Sequence, residues 1–400
     1  MFLTVRTVAE ALGALDPVHR SAIVPTAPAL GVVPARDVTA GEPLPGWARA
    51  TVDGYAVRAA DTYAAAETLP TFLEITGAVR MGEVPPGEVG PGAAMTIPTG
   101  GLLPPGADAV VMVEHTTEPM PGHVELLRGV APGEGVLQPG EEAAPGDLLA
   151  PAGRPLRAAD LGLLAAAGVT ELAAFAPPRV GIVSTGDEVV PPATAEPAPG
   201  QVRDACAPAL AGLVREAGGE PVLRGIVPDD ADALERVLAE VVGRDDVVVV
   251  SAGSSVGARD LTATVVGRLG EVVCHGLALK PGKPTLLADC DGVPLIGLPG
   301  NPRSALVVFR LVGIALVRTV AGMTAPPPAA IVRAALSRDV PSAAGRLDVV
   351  QVSVRDGVAT PRFGSSALLG PMVGADGWIR VPEPATGLGA GTLVDVELYG

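Results

Sequence analysis

Residues 179–188 read RVGIVSTGDE, and residues 245–260 read DDVVVVSAGSSVGARD. Each is a β-branched run that passes into small and polar residues, the pattern of a buried strand opening into a loop at its carboxyl end. Around them strands and helices alternate. ALAGLVREAGG at 209–219 reads as a helix ended by glycines, PVLRGIV at 221–227 as a strand, and DDADALERVLAEVV at 229–242 as a helix. A helix from Asp260, a strand at 271–279 and a long apolar helix after Asn301 follow. This alternation predicts an α/β domain over 176–324, a parallel sheet with crossover helices. Ligands of such sheets bind beyond the carboxyl ends of the strands, where both quoted loops sit.

Outward from this core the pattern changes. Residues 43–142 are dense in Gly and Pro with short runs such as TFLEITGAV (71–79) and DAVVMVEHT (108–116), which predicts a β-rich inserted domain. It splits a helical and linker domain into 1–42 and 143–175, the second part holding the helix LRAADLGLLAAAG with Gly168 as its stop. After AGMTAPPPAA at 321–330, residues 325–400 return to short strands and turns, as in a small β-barrel or sandwich. The expected fold class is therefore α/β plus β, in an elongated multidomain chain.

The 400 residues carry 28 Lys and Arg against 44 Asp and Glu, a net charge of −16, which argues against nucleic acid and anionic membrane as partners. Although 51 residues are Gly and 42 Pro, 48% of the chain is hydrophobic, enough for packed cores. With two Trp, three Tyr and five Phe, those cores must be Ala, Val and Leu. Cys206, Cys274 and Cys290 form no CxxC pair, and His19, His115, His123 and His275 no metal-binding pattern. The N-terminus reads as an amphipathic helix rather than a signal peptide, and no apolar run reaches membrane-spanning length. A soluble, cytoplasmic protein is expected.

Four motifs carry candidate chemistry. STGDE offers the hydroxyls of Ser184 and Thr185, a free backbone at Gly186, and hard oxygen ligands in Asp187 and Glu188; its plainer reading is a polar turn. SAGSSVGARD places Gly253, Ser255 and Gly257 before a helix as an oxyanion nest, with Asp260 as helix cap or metal ligand. It also matches the GxSxG nucleophile elbow, but only His275 follows, in a strand-like run. Lys280 and Lys283 of KPGKP can face one anion across a Pro-Gly turn, without the glycines or hydroxyl of a Walker A loop. GLPGNPRS sets Pro299, Gly300, Asn301 and Ser304 at a helix start, again suited to an anion. Finally, Asp229 and Asp230 follow a strand; they cap a helix or, with Glu188 and Asp260, hold Mg²⁺ together with a substrate phosphate.

TVDGYA (51–56), IPTGG (97–101), STGDE, SAGSSVGARD, KPGKP, GLPGNPRSA and GRLD (345–348), in that order, resemble the molybdopterin molybdenumtransferase family, related to the molybdenum-inserting domain of gephyrin. The resemblance implies an elongated homodimer with four domains per subunit and active sites at the dimer interface. It implies insertion of molybdate into adenylylated molybdopterin with Mg²⁺-dependent release of AMP. Carried over by position, Asp229, Asp260 and Glu188 would support Mg²⁺ and the nucleotide. Ser255, Lys280, Lys283 and Ser304 would hold molybdate or phosphate oxygens, and Asp53, Thr99 and Glu188 would lie in or near the same cleft. Ser184, Thr185, Gly186, Asp187, Gly253, Gly257, Pro299, Gly300, Asn301, Arg346, Ser365 and Ser366 would complete the substrate site. The adenylyltransferase of the pathway and recipient molybdoenzyme apoproteins are the implied protein partners.

The chain departs from the family pattern at four places. Glu142 in GEEA replaces an aspartate, Cys206 in VRDAC replaces an asparagine, Gln351 stands where a second arginine follows GRLD, and Gly370-Pro371 stand where serines are expected. Two other readings share the motifs: a molybdopterin adenylyltransferase, which resembles the α/β part alone, and a non-catalytic scaffold that binds the pterin nucleotide. A serine hydrolase at Ser255 is a third.

Overall fold

The run VVVV is a sheet centre because β-branched side chains tolerate burial on both faces of a pleated strand. In the computed structural model, which describes residues 5–251 and 256–399 and leaves out the side chains of 256–260, all five residues of Val247–Ser251 are buried. Val247 and Val249 pack with the helix Cys206–Glu216 and with the helical run that begins at Pro302–Val308. Val248 and Val250 pack on the other face against Ala231–Val242 and Val256–Leu269. Alternation along one strand thus feeds two cores, each fully buried valine contributing roughly 1.5–3 kcal/mol.

The sheet has six strands in the order Glu220–Val227, Arg179–Thr185, Val247–Ser251, Val293–Leu298, Leu286–Cys290, Glu271–His275. The first four are parallel, as the alternation predicts; the last two join antiparallel. The single strand expected at 271–279 divides at Gly276, whose φ of 134° turns the chain out of the sheet. Its continuation, Leu279–Lys280, pairs with a different domain. The helix expected from Asp260 begins at Val256, so Asp260 lies within the helix and does not cap it.

A buried ion pair ties three of the parallel strands together. Asp245, fully buried, accepts from Arg224 Nε at 2.8 Å and Nη2 at 2.6 Å, and lies 3.6 Å from Arg179. Its carboxylate sits 2.3 Å from where a Cβ on Gly181 would stand, which explains a glycine in mid-strand.

The C-terminal strands Ile331–Leu336, Val358–Pro361, Leu347–Arg355, Gly377–Val381 and Leu393–Leu398 close into a five-stranded barrel, the first and last pairing to complete the ring. Residues 43–142 contain a six-stranded sheet in the order Ala109–Met112, Gly54–Val57, Ala93–Ile97, Thr71–Ala78, His123–Leu126, Thr116–Met120. The chain before and after it meets in the pairs Ser21–Pro25 with Glu171–Phe175 and Val38–Thr39 with Leu148–Ala150. Among the described residues no helix is long and apolar enough to cross a membrane.

Removing Asp245 strands the partly buried Arg224 without its partner. Asp245→Ala should therefore cost about 3 kcal/mol in chemical denaturation; a loss within about 1 kcal/mol would mean that the pair behaves like a surface bridge.

Candidate functional site

KPGKP is held by backbone pairing. Leu279 and Lys280 lie parallel to Leu347 and Asp348 at the start of a barrel strand, and Leu347 N–H donates to the Ala278 carbonyl at 2.8 Å. The loop closes on itself: Leu277 N–H donates to the Lys283 carbonyl at 2.9 Å, and Thr285 Oγ1 to the Gly282 carbonyl at 2.6 Å. Gly282 has a φ of 128°, and a Cβ there would stand 2.4 Å from Val308 Cγ2, so no other residue fits.

GLPGNPRSA follows the strand Val293–Leu298 and enters a helix with Pro302 at its first turn. It too is fastened to the C-terminal part. Asn301 Nδ2 donates to Ser366 Oγ at 3.0 Å, and Arg303 N–H donates to the Ser366 carbonyl at 3.1 Å.

Between these fastenings opens a cleft of about 670 Å³. Of the sequence-predicted residues, Lys280, Lys283, Pro299, Asn301, Ser304, Arg346 and Ser366 line it. Among the described residues, four cations, Lys280, Lys283, Arg303 and Arg346, share it with one acid, Asp348. Asp348 is 2% exposed and ion-paired to Arg346 at 2.9 Å and Lys280 at 3.4 Å. Lys283 is exposed and has no ion pair among the described residues. In a protein of net charge −16, such a cleft attracts and orients an anion.

The neighbouring strand ends carry the opposite charge. Ser184 pairs with Ser251, and Ser251 with Leu298, so the STGDE loop and the GLPGNP loop leave the same sheet edge two strands apart, about 10 Å. Ser184 Oγ donates to Asp204 Oδ2 at 2.6 Å, and Thr185 is buried at the strand end. Gly186 has a φ of 138°, and a Cβ there would meet Glu188 Oε2 at 2.7 Å. Asp229 N–H donates to Asp187 Oδ1 at 3.1 Å. Partial desolvation, then the charges of Asp187 and Glu188, hold the Asp229 carboxyl above the usual carboxylate range. This surplus of negative charge suits a divalent cation that keeps several waters and takes one or two carboxylates. No group of three or more His, Cys, Asp or Glu among the described residues is placed to hold an ion unaided. Asp230 caps the helix Ala231–Val242 by accepting from Ala233 N–H at 2.8 Å.

Several predicted residues stand apart. Gly253 and Ser255, with the elbow reading centred on them, lie outside the described residues; Gly257 and Asp260 are placed only as helical positions. Gly300 and Ser365 adjoin the cleft without lining it. Asp53 and Thr99 meet in the turns beside the paired strands Gly54–Val57 and Ala93–Ile97, where Thr99 N–H and Oγ1 donate to Asp53 Oδ1 at 2.6 and 2.9 Å and hold that carboxyl below its usual range. They do not line the cleft of their own chain.

Sequence reasoning missed Arg303 and Asp348. Asp348 lay inside the quoted GRLD. The signal for Arg303 was a cation in the first turn of an otherwise apolar helix, where the helix dipole disfavours it.

Three family models cover the chain: the MoeA N-terminal region (domain I and II) over 5–168, the "Probable molybdopterin binding domain" over 181–319, and the MoeA C-terminal region (domain IV) over 333–399. Molybdopterin molybdenumtransferase 1 of Mycobacterium tuberculosis is 31% identical over 93% of this chain and 93% of its own. The Bacillus subtilis molybdopterin molybdenumtransferase is 30% identical over 91% of this chain and 86% of its own. The crystal structure of a molybdopterin biosynthesis MoeA protein from Pyrococcus horikosii superposes with a TM-score of 0.83 at 36% identity, covering 99% of both chains.

If the acidic strand ends receive a cation, Asp229→Asn should raise the melting temperature of the metal-free protein by relieving repulsion. It should also shrink the further rise produced by Mg²⁺. An undiminished response to Mg²⁺ places the ion elsewhere.

Proposed function

The chain belongs to the molybdopterin molybdenumtransferase family, and from that premise we propose that it inserts molybdate into adenylylated molybdopterin and releases AMP. The observation that carries this reading is the cleft in which, among the described residues, Lys280, Lys283, Arg303 and Arg346 face the single acid Asp348. Both reactants are oxyanions or carry them, and a site that must hold molybdate beside a phosphate needs more positive than negative charge.

In this reading Lys283, free of an ion pair among the described residues, takes a molybdate or phosphate oxygen directly. Lys280 and Arg346 are held in place by Asp348, which fixes their direction and leaves part of their charge for the ligand. The Ser304 hydroxyl and the Asn301 amide, on the opposite wall, supply neutral donors. Asp229 and Glu188, with Asp260, would be the residues that hold Mg²⁺. Bound there, the ion would stabilise charge on the leaving phosphate. No nucleophilic side chain is required, because phosphoryl cleavage and oxygen transfer at molybdate are problems of charge placement.

We further propose a homodimer. Asp53 and Thr99 do not line the cleft of their own chain, and a subunit interface gives them a cleft to serve. The small-molecule substrates fit a cytoplasmic enzyme, with the adenylyltransferase upstream and molybdoenzyme apoproteins downstream as protein partners.

The test is AMP release from adenylylated molybdopterin. Release that requires both molybdate and Mg²⁺ is expected, with Lys283→Ala reducing it about ten- to a hundred-fold through loss of one charge-assisted contact. Nucleotide binding without release under any condition would replace the enzyme by a scaffold that kept the pocket.

A further inference from the structure

We propose that Arg303 is an oxyanion-binding residue of the cleft, its buried charge kept available by a neutral partner, Gln351. The inference rests on the reading of the cleft as an anion site. It concerns a residue that neither the quoted family motifs nor the four sequence departures identify as a ligand.

Arg303 is 6% exposed and lines the cleft. A guanidinium stays charged at any pH a protein survives, and burying that charge is unfavourable unless something offsets it. The usual offset is a carboxylate, and among the described residues Arg303 has none. Nε donates to Gln351 Oε1 at 2.7 Å, and Nη2 donates to the same oxygen. Nη1 donates to the Gly364 carbonyl at 2.8 Å and Nη2 to the Arg362 carbonyl at 3.4 Å. Every acceptor is neutral. The guanidinium is therefore fixed in direction while its charge is left uncancelled. Of its five N–H donors, these four contacts leave one, on Nη1.

Gln351 is built around this task. It is fully buried, and its Oε1 is committed to two donors of the Arg303 guanidinium. A glutamate of the same length would bond the guanidinium more strongly and cancel its charge. The other cations of the cleft differ: Lys280 and Arg346 share Asp348, and Lys283 is exposed to water. Arg303 alone among them combines burial with an uncompensated charge, the condition under which an ionic contact is strongest. Ser304 and Ser366, also lining the cleft, offer hydroxyl donors near it. A buried cation with hydroxyl donors around it suits a tetrahedral oxyanion, either molybdate or a phosphate group.

The test uses the full-length protein, with sodium molybdate, inorganic phosphate and AMP each titrated by calorimetry. Gln351→Glu is the decisive variant because it keeps the shape and cancels the charge. We expect it to fold with an unchanged or higher melting temperature and to bind at least one of the three about ten-fold more weakly. Arg303→Met should show the same loss. Weakening confined to molybdate assigns Arg303 to the metal oxyanion; weakening confined to phosphate and AMP assigns it to the nucleotide. Affinities for all three unchanged in Gln351→Glu would overturn the proposal and leave Arg303 a structural tie. So would a wild-type protein that binds none of them. Since these titrations need no turnover, a protein that binds through Arg303 yet never releases AMP keeps this inference and loses the transferase reading.

Discussion

Two residues of parallel pairing, Leu279–Lys280 against Leu347–Asp348, hold the site together. Without them the KPGKP loop would belong to the α/β sheet and GRLD to the barrel, with nothing to fix one against the other. With them, Lys280 and Asp348 become register partners, and Arg346 is brought onto the same carboxylate. The second fastening, Asn301 and Arg303 on Ser366, closes the opposite wall. The cleft exists because two loops of one domain are each tied to the other by hydrogen bonds, and Gly282 permits one of those loops its shape.

The charges follow a simple division. Cations gather where the α/β loops meet the barrel, and carboxylates gather at the next strand ends along the same sheet edge. The proposed function asks a ligand that carries both an oxyanion and a phosphate to span the two. The strong negative charge elsewhere on the protein sharpens this contrast, since a positive cleft on an acidic body is the preferred destination for an anion.

Much of this was legible in the sequence because it is local. Valine runs followed by polar loops announced the parallel strands, and proline and glycine punctuated the β modules. What was not legible depends on pairing between distant segments. Nothing in EVVCHGLAL says that it breaks at Gly276 and sends Leu279 to the barrel. TVDGYA and IPTGG entered only as motifs of the resemblance, and the contact between them comes from the register that sets Gly54 opposite Ile97. Asp260 was placed at a helix start because glycines precede it, whereas the helix begins four residues earlier. The departure at Cys206 reads differently in three dimensions: Asp204 accepts from both Cys206 N–H and Ala207 N–H at 3.0 Å, so the helix start needs nothing from side chain 206. At Gln351 the missing arginine counted as a lost cation; Arg303 occupies that ground from another element.

The most direct measurement is diffraction from crystals soaked in molybdate, collected at the molybdenum absorption edge. Anomalous density inside the cleft, within contact distance of Lys283 or Arg303, is the expected result. Density confined to exposed arginines that do not line the cleft, such as Arg338 and Arg362, or its complete absence at saturating molybdate, would contradict the assignment of this cleft as the place where the oxyanion binds.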